Sequence, residues 1–122
     1  MILKKCKKCG ALVKILKDCT CDNCGVKCCN EEMNIIKPNS VDAAIEKHIP
    51  TYKIVGDEIE ILVNHVMEDD HYIEWICYET ENLEQIVYFR PGEIPKTTFK
   101  YIKGATIYSY CNKHLLWMKK VD

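Results

Sequence analysis

No aromatic residue precedes Tyr52, and no histidine precedes His48. The first absence argues against nucleic acid as a partner. Residues 1–37 hold eight lysines against four acids, a net +4. A basic segment that binds single strands also needs rings for bases to stack on, and this one has none. The second absence means that any metal in this segment is held by thiolate alone. Long apolar runs are missing too, and the longest falls far short of a membrane span. Met1-Ile2-Leu3 runs directly into lysines and cysteines, so no secretory leader is expected and the chain reads as cytoplasmic, without a membrane partner. There is no convincing internal repeat and no pattern for a long helix.

What is abundant is cysteine. The nine lie at 6, 9, 19, 21, 24, 28, 29, 77 and 111, and seven fall in the first 29 residues. An odd count without a leader argues against a disulfide framework. Closely spaced pairs favour metal instead. "CKKCG" supplies Cys6 and Cys9 as a knuckle, with Gly10 easing the turn. The residues leave its partner pair open: "CDNCG" offers Cys21 and Cys24, and "KCCNEEM" offers Cys28 and Cys29. Cys77, inside an apolar run, reads as a small core residue.

Composition changes near residue 38. Residues 38–122 carry nine basic side chains against fourteen acids, and "KPNS" (37–40) reads as a connector. Two domains are expected, 1–37 and 38–122. Ser40 is expected to cap a short helical turn over "VDAAIEK". From Tyr52 onward the pattern is β: "EIEILVN", "YIEWICYE", "QIVYF", "TTFKYI" and "ATIYSY" are rich in β-branched and aromatic residues. Alternation in "YIEWICYE" is only partial, which suggests a strand covered on both faces. Turn signals at Gly56-Asp57, Glu81-Asn82, Pro91-Gly92 and Lys103-Gly104 separate the strands. Short strands at this spacing predict an antiparallel sandwich or barrel.

All four histidines fall in this β region, each near a strand end: His48, His65, His71 and His114. Cys111 precedes His114 in "YCNKH". A sandwich gathers its loops at its ends, so these five could converge. Four imidazoles and a thiolate exceed the four ligands of structural zinc. Copper electron-transfer sites use fewer histidines and a weak axial thioether. Five donors leave one octahedral position open, which suits iron that binds a small molecule. A thiolate opposite the open position would push electron density toward it, as in thiolate-ligated haem.

"EKHIP", "NHVMEDDHYIEW" and "YCNKHLLW" resemble superoxide reductases of the desulfoferrodoxin and neelaredoxin family. The likeness covers nearly the whole chain, since the cysteine-rich start resembles the desulforedoxin domain of the two-iron members. It implies a mainly β protein. Residues 1–37 would form a small desulforedoxin-like four-cysteine metal domain, and residues 38–122 an immunoglobulin-like antiparallel β-sandwich. It implies a catalytic non-haem iron held by His48, His65, His71, His114 and Cys111, and one-electron reduction of superoxide to hydrogen peroxide. Lys47 would place positive charge beside the open position, and Glu46 looks like the glutamate that can occupy it when the iron is ferric. Continuation of the match through Met33 and "NSVDAA" nominates Cys6, Cys9, Cys28 and Cys29 for a second iron, or a zinc. Cys19, Cys21 and Cys24 then stand as an addition, open to roles as free thiols, a redox pair or a competing metal site. An external electron donor such as rubredoxin and a homodimer are also implied.

Two residues depart from the family pattern. Val66 stands where a proline is usual after the second histidine, and Leu115 where a glycine is usual after the last. A left-handed backbone at Leu115 would cost about 1 kcal/mol or more. Two other functions are weighed beside the enzyme. A pure electron carrier would gain from a closed coordination shell. A zinc-ribbon binding module leaves the five donors of the second domain unexplained.

Overall fold

The computed structural model describes residues 1–22 and 25–122. They fall into two compact units, Met1–Lys37 and Pro38–Asp122. Regular structure is almost entirely antiparallel β, as the strand patterns and turn residues predict.

The first unit has five short strands: β1 (Ile2–Lys5), β2 (Leu12–Ile15), β3 (Lys27–Cys28), β4 (Glu31–Glu32) and β5 (Asn34–Ile35). β1 is the middle of a three-stranded sheet, flanked by β2 and β5. Among the described residues, Leu3, Cys6, Met33 and Ile36 are the unit's buried apolar side chains, a very small core. β3 and β4 form a minimal hairpin whose turn is Cys29-Asn30. Both turn residues have positive φ, 53° and 61°, the pattern of the tight turns that match strand twist.

The second unit holds β6 (Thr51–Val55), β7 (Glu58–Leu62), β8 (Ile73–Glu79), β9 (Glu84–Tyr88), β10 (Lys96–Lys100), β11 (Thr106–Cys111) and β12 (Leu115–Lys120). One sheet runs β10-β7-β6 and the other β12-β11-β8-β9. The core draws on both: Ile59, Ile61 and Phe99 from the first, Ile73, Ile76, Tyr78, Ile107 and Cys111 from the second. Two layers closed on a shared apolar interior form a β-sandwich. β8 is buried along nearly all its length and β11 along all of it. That explains why "YIEWICYE" alternates poorly: a central strand covered on both faces has no solvent side to mark.

The β11–β8 register shifts between Tyr110 and Cys111, so Tyr110 opposes Trp75 and Cys111 opposes Ile73. Glu74 is the extra residue, a β-bulge on β8. The bulge keeps Ile107, Ser109 and Cys111 on the same side of the sheet as Tyr78, Ile76 and Ile73. Cys111 therefore ends its strand inside the core and is fully buried.

One local expectation is corrected, and one strand is unmarked in the sequence. The helical turn is only the 3-10 turn Ile45–Lys47; Ala44 is its N-cap, and no side chain caps it. Ser40 lies too far upstream to serve. β12 carries the sequence LLWMKK, whose buried residues are consecutive rather than alternating, which hides it from a period-two search. Asn39 covers part of its outer edge, accepting from Met118 N–H at 2.9 Å and donating its own N–H to Leu116 O at 3.0 Å.

Ile76 is completely buried between the sheets. Ile76→Ala is expected to lower unfolding free energy by about 2–5 kcal/mol, read as a reduced denaturant midpoint with an unchanged slope.

Candidate metal centre

Three stretches of backbone deliver five donor atoms. His48 ends the 3-10 turn. His65 and His71 lie in the loop between β7 and β8, where His71 is held by an isolated bridge to Glu68. Cys111 is the last residue of β11, and His114 closes the turn into β12. The five donor atoms all lie within 4.8 Å of one another.

The rings are ordered as a closed cycle. His48 meets His65 at 4.7 Å and 71°, and His65 meets His71 at 4.6 Å and 88°. His71 meets His114 at 5.1 Å and 76°, and His114 meets His48 at 4.8 Å and 88°. Each imidazole thus stands edge-on to two neighbours, as four ligands around a square would. The thiolate sulfur lies 3.4 Å from His65 Nε2 and 3.9 Å from His114 Nδ1.

Proton accounting shows why this cluster calls for a cation. His48 Nδ1 lies 2.7 Å from the Ala44 carbonyl, and His65 Nδ1 lies 2.5 Å from the Val66 carbonyl. A carbonyl only accepts, so each Nδ1 carries its proton. The neutral rings then turn lone pairs outward at Nε2, and those two Nε2 atoms are 3.2 Å apart. His48 Nε2 is also 2.9 Å from His114 Nδ1. His71 Nε2 is buried with no hydrogen-bond partner. Two facing lone pairs and an orphaned nitrogen are what a positive charge between them would satisfy. Metal–nitrogen bonds of about 2.1 Å would put neighbouring nitrogens of a square about 3 Å apart, close to the separations seen. The residues therefore fit a five-ligand metal such as iron.

Burial tunes the donors the same way. It holds His48 and His71 below the usual histidine range and His65 at about 4, so these rings stay neutral and ligand-ready at neutral pH. Burial also pushes the Cys111 thiol up, against the N–H groups of His114 and Lys113, which favour the thiolate. The His114 N–H reaches the sulfur at 3.4 Å.

Neighbouring groups lock the rings. Trp117 stacks on His48 at 4.9 Å and 26° and donates its indole N–H to the His114 carbonyl at 2.9 Å. Ser109 Oγ–H donates to the His48 carbonyl at 2.9 Å. Neither residue stands out in the sequence, because their roles depend on side-chain direction across strands. Leu115 does adopt a left-handed backbone, with φ 64°, at the position where the family pattern has glycine.

A second cluster joins Cys6, Cys9, Cys28 and Cys29, whose sulfurs also lie within 4.8 Å of one another. Cys9 and Cys28 approach to 3.5 Å, and Cys28 and Cys29 to 3.9 Å. The left-handed Cys29 lets adjacent residues turn both thiols toward one point. The N–H of Cys9 helps pull the Cys6 thiol down to about 7, while hydrogen bonding to Cys9 pushes Cys28 up to about 12. These four could bind a second metal. Cys21 is not in this cluster, Cys19 is disulfide-bonded, and Cys24 lies outside the described residues. Cys77 is fully buried, as a core residue should be.

Glu46 and Lys47 sit on the exposed 3-10 turn beside His48 and are not among the donors. The Glu46 charge is felt at His48. Its side chain lines a groove with Ile49, Pro50, Tyr52 and Lys119.

The desulfoferrodoxin family model matches residues 40–120. The chain belongs to the desulfoferrodoxin family. It is 35% identical over 117 residues to the desulfoferrodoxin of Syntrophotalea carbinolica, covering 93% of this chain and 90% of that one. It is 32% identical over 118 residues to that of Nitratidesulfovibrio vulgaris, covering 93% and 90%. Among solved structures it resembles the superoxide reductase of Treponema pallidum, with 28% identity, a TM-score of 0.71 and coverage of 97% and 98%. The superoxide reductase (1Fe-SOR) of Giardia intestinalis matches 63% of this chain and 98% of its own length, at 26% identity and a TM-score of 0.55. In this member of the family the five donors His48, His65, His71, Cys111 and His114 lie together.

Because the Cys111 thiol is pushed up while His65 is held near 4, metal binding at pH 7 must expel the Cys111 proton and none from His65. Titrating metal into weakly buffered apoprotein should therefore release about one proton more than Cys111→Ser does, and affinity should weaken as pH falls. Equal proton release from both proteins would remove Cys111 from the site.

Proposed function

We propose that this desulfoferrodoxin is a superoxide reductase. Superoxide gains one electron and two protons to give hydrogen peroxide, with no release of oxygen. The observation that carries this reading is the square of four imidazoles with Cys111 against it, five donors where an octahedral ion takes six. Iron held by these residues would supply one-electron reduction and room for a small anion. A pure electron carrier has no use for that position, and a zinc-ribbon module has no use for the square.

The chain's own residues do the rest. His48, His65, His71 and His114 hold the metal in neutral form. Cys111 supplies anionic sulfur from within the core, where water is excluded and its hydrogen bond from His114 is stronger. Lys47 presents a positive charge on the 3-10 turn beside His48. It would draw in an anion, and its ammonium would pass a proton through water toward the product. Glu46 carries the competing negative charge and would occupy the sixth position when no substrate is present. Residues 1–37 form a desulforedoxin-like domain, with Cys6, Cys9, Cys28 and Cys29 holding a second iron or a zinc. Residues 38–122 form the catalytic domain. Electrons come from an external one-electron donor of the rubredoxin kind, and the working form is a homodimer. The five ligand thiols, unlike the disulfide-bonded Cys19, must stay reduced to act as ligands, which suits the cytoplasm. Among the described residues no helix is long and apolar enough to cross a membrane.

Metal content with the visible spectrum of oxidised protein is the primary test. Iron with a broad thiolate absorption that Cys111→Ser abolishes is the expected result. A colourless zinc protein that stays colourless after anaerobic iron reconstitution would sink the reading. Lys47→Ala should slow the stopped-flow reaction with superoxide about tenfold and flatten its salt dependence. An unchanged rate would remove Lys47 from steering.

A further inference from the structure

His71 differs from His48 and His65 in how it is held. His48 and His65 each anchor their second ring nitrogen on a carbonyl, Ala44 and Val66. Ligating histidines usually have such an anchor, and it sets the ring's orientation. For His71 the structure records no side-chain hydrogen bond, and its Nε2 is buried without a partner. Its ring must therefore be placed through its backbone.

The backbone on both sides of His71 is gripped by one side chain, that of Asn112. Asn112 Oδ1 accepts from the Tyr72 N–H at 2.9 Å. Asn112 Nδ2–H donates to the Asp70 carbonyl at 2.9 Å. The Asn112 backbone N–H donates to the Tyr72 carbonyl at 3.2 Å. Three hydrogen bonds thus straddle His71, from the residue before it to the residue after it. The Glu68 bridge completes the frame, with Glu68 N–H to His71 O at 2.9 Å and His71 N–H to Glu68 O at 3.2 Å. Asn112 itself lies between two donors, next to Cys111 and two residues before His114.

We infer that Asn112 is the positioning residue of the centre, its amide fixing the His71 loop against the Cys111–His114 turn so that imidazole and thiolate meet one metal ion at fixed separation. The inference rests on the metal-site reading above and adds a residue that touches no metal. The chemistry singles out an amide. One atom must accept from Tyr72 while its neighbour donates to Asp70, and among side chains of this length only asparagine does both. Aspartate keeps the acceptor but turns an oxygen toward the Asp70 carbonyl. Alanine loses both contacts.

The test compares wild type, Asn112→Asp and Asn112→Ala, each loaded with iron and challenged with excess chelator. Ile59→Val, a change in the distant β7 core, serves as a control that lowers stability without touching the site. Iron release should quicken about tenfold or more in Asn112→Ala, by less in Asn112→Asp, and not at all in Ile59→Val. The thiolate absorption band should shift in both Asn112 variants. If Asn112→Ala unfolds, the comparison passes to Asn112→Asp, whose wild-type release rate and unmoved band would overturn the inference. Release that tracks thermal stability across all variants, Ile59→Val included, would overturn it too. Failure of the wild type to take up iron would instead overturn the metal-site reading.

Discussion

The structure of the second unit depends on lone pairs that face each other. His48 and His65 each commit one nitrogen to a backbone carbonyl, which leaves their other nitrogens aimed at the same small volume, 3.2 Å apart. No hydrogen bond between those two nitrogens resolves that conflict while both rings are neutral. A cation does, and it turns five mutually awkward groups into ligands. Binding energy at such a site is folding energy, because the unfolded chain gathers no such set.

The sandwich makes the conflict possible by being rigid elsewhere. β8 and β11 are buried along most of their length, and a single bulge at Glu74 returns Ile73 to the core side opposite Cys111 just as β11 ends. A register slip of one residue would send the thiol to the opposite face. The segments that carry histidine are pinned: by the 3-10 turn at His48, by the Glu68 bridge at His71, by the hairpin at His114. The first unit solves a related problem with less material. Its apolar core is very small, and the left-handed Cys29 carries a backbone cost of about 1–2 kcal/mol. A shared metal would offset that cost by recruiting both vicinal thiols.

The donors were legible in the sequence because their chemistry is. Histidine near strand ends and a Cys-x-x-His turn point to metal whatever the surrounding fold. The strands of the second unit were legible where they contain β-branched runs, as in "EIEILVN" and "ATIYSY". β12 was not, since its buried residues are consecutive and end in two lysines. The turn over "VDAAIEK" has helix-forming residues, but with only three residues wound it never becomes the capped helix they suggest. Least legible were Ser109, Asn112 and Trp117. Each acts through the direction of one polar group across a loop or strand, and that direction exists only once the sheets have closed.

The placement of Trp117 has a consequence of another kind. Its ring lies flat against His48 and its N–H holds the His114 carbonyl. An indole so close to two ligands shares the electronic surroundings of whatever ion they bind. The other tryptophan, Trp75, lies instead against Tyr110 at 5.4 Å. The chain thus contains its own optical probe: the emission of one native fluorophore reports whether the centre is filled, and with what, without any label being attached.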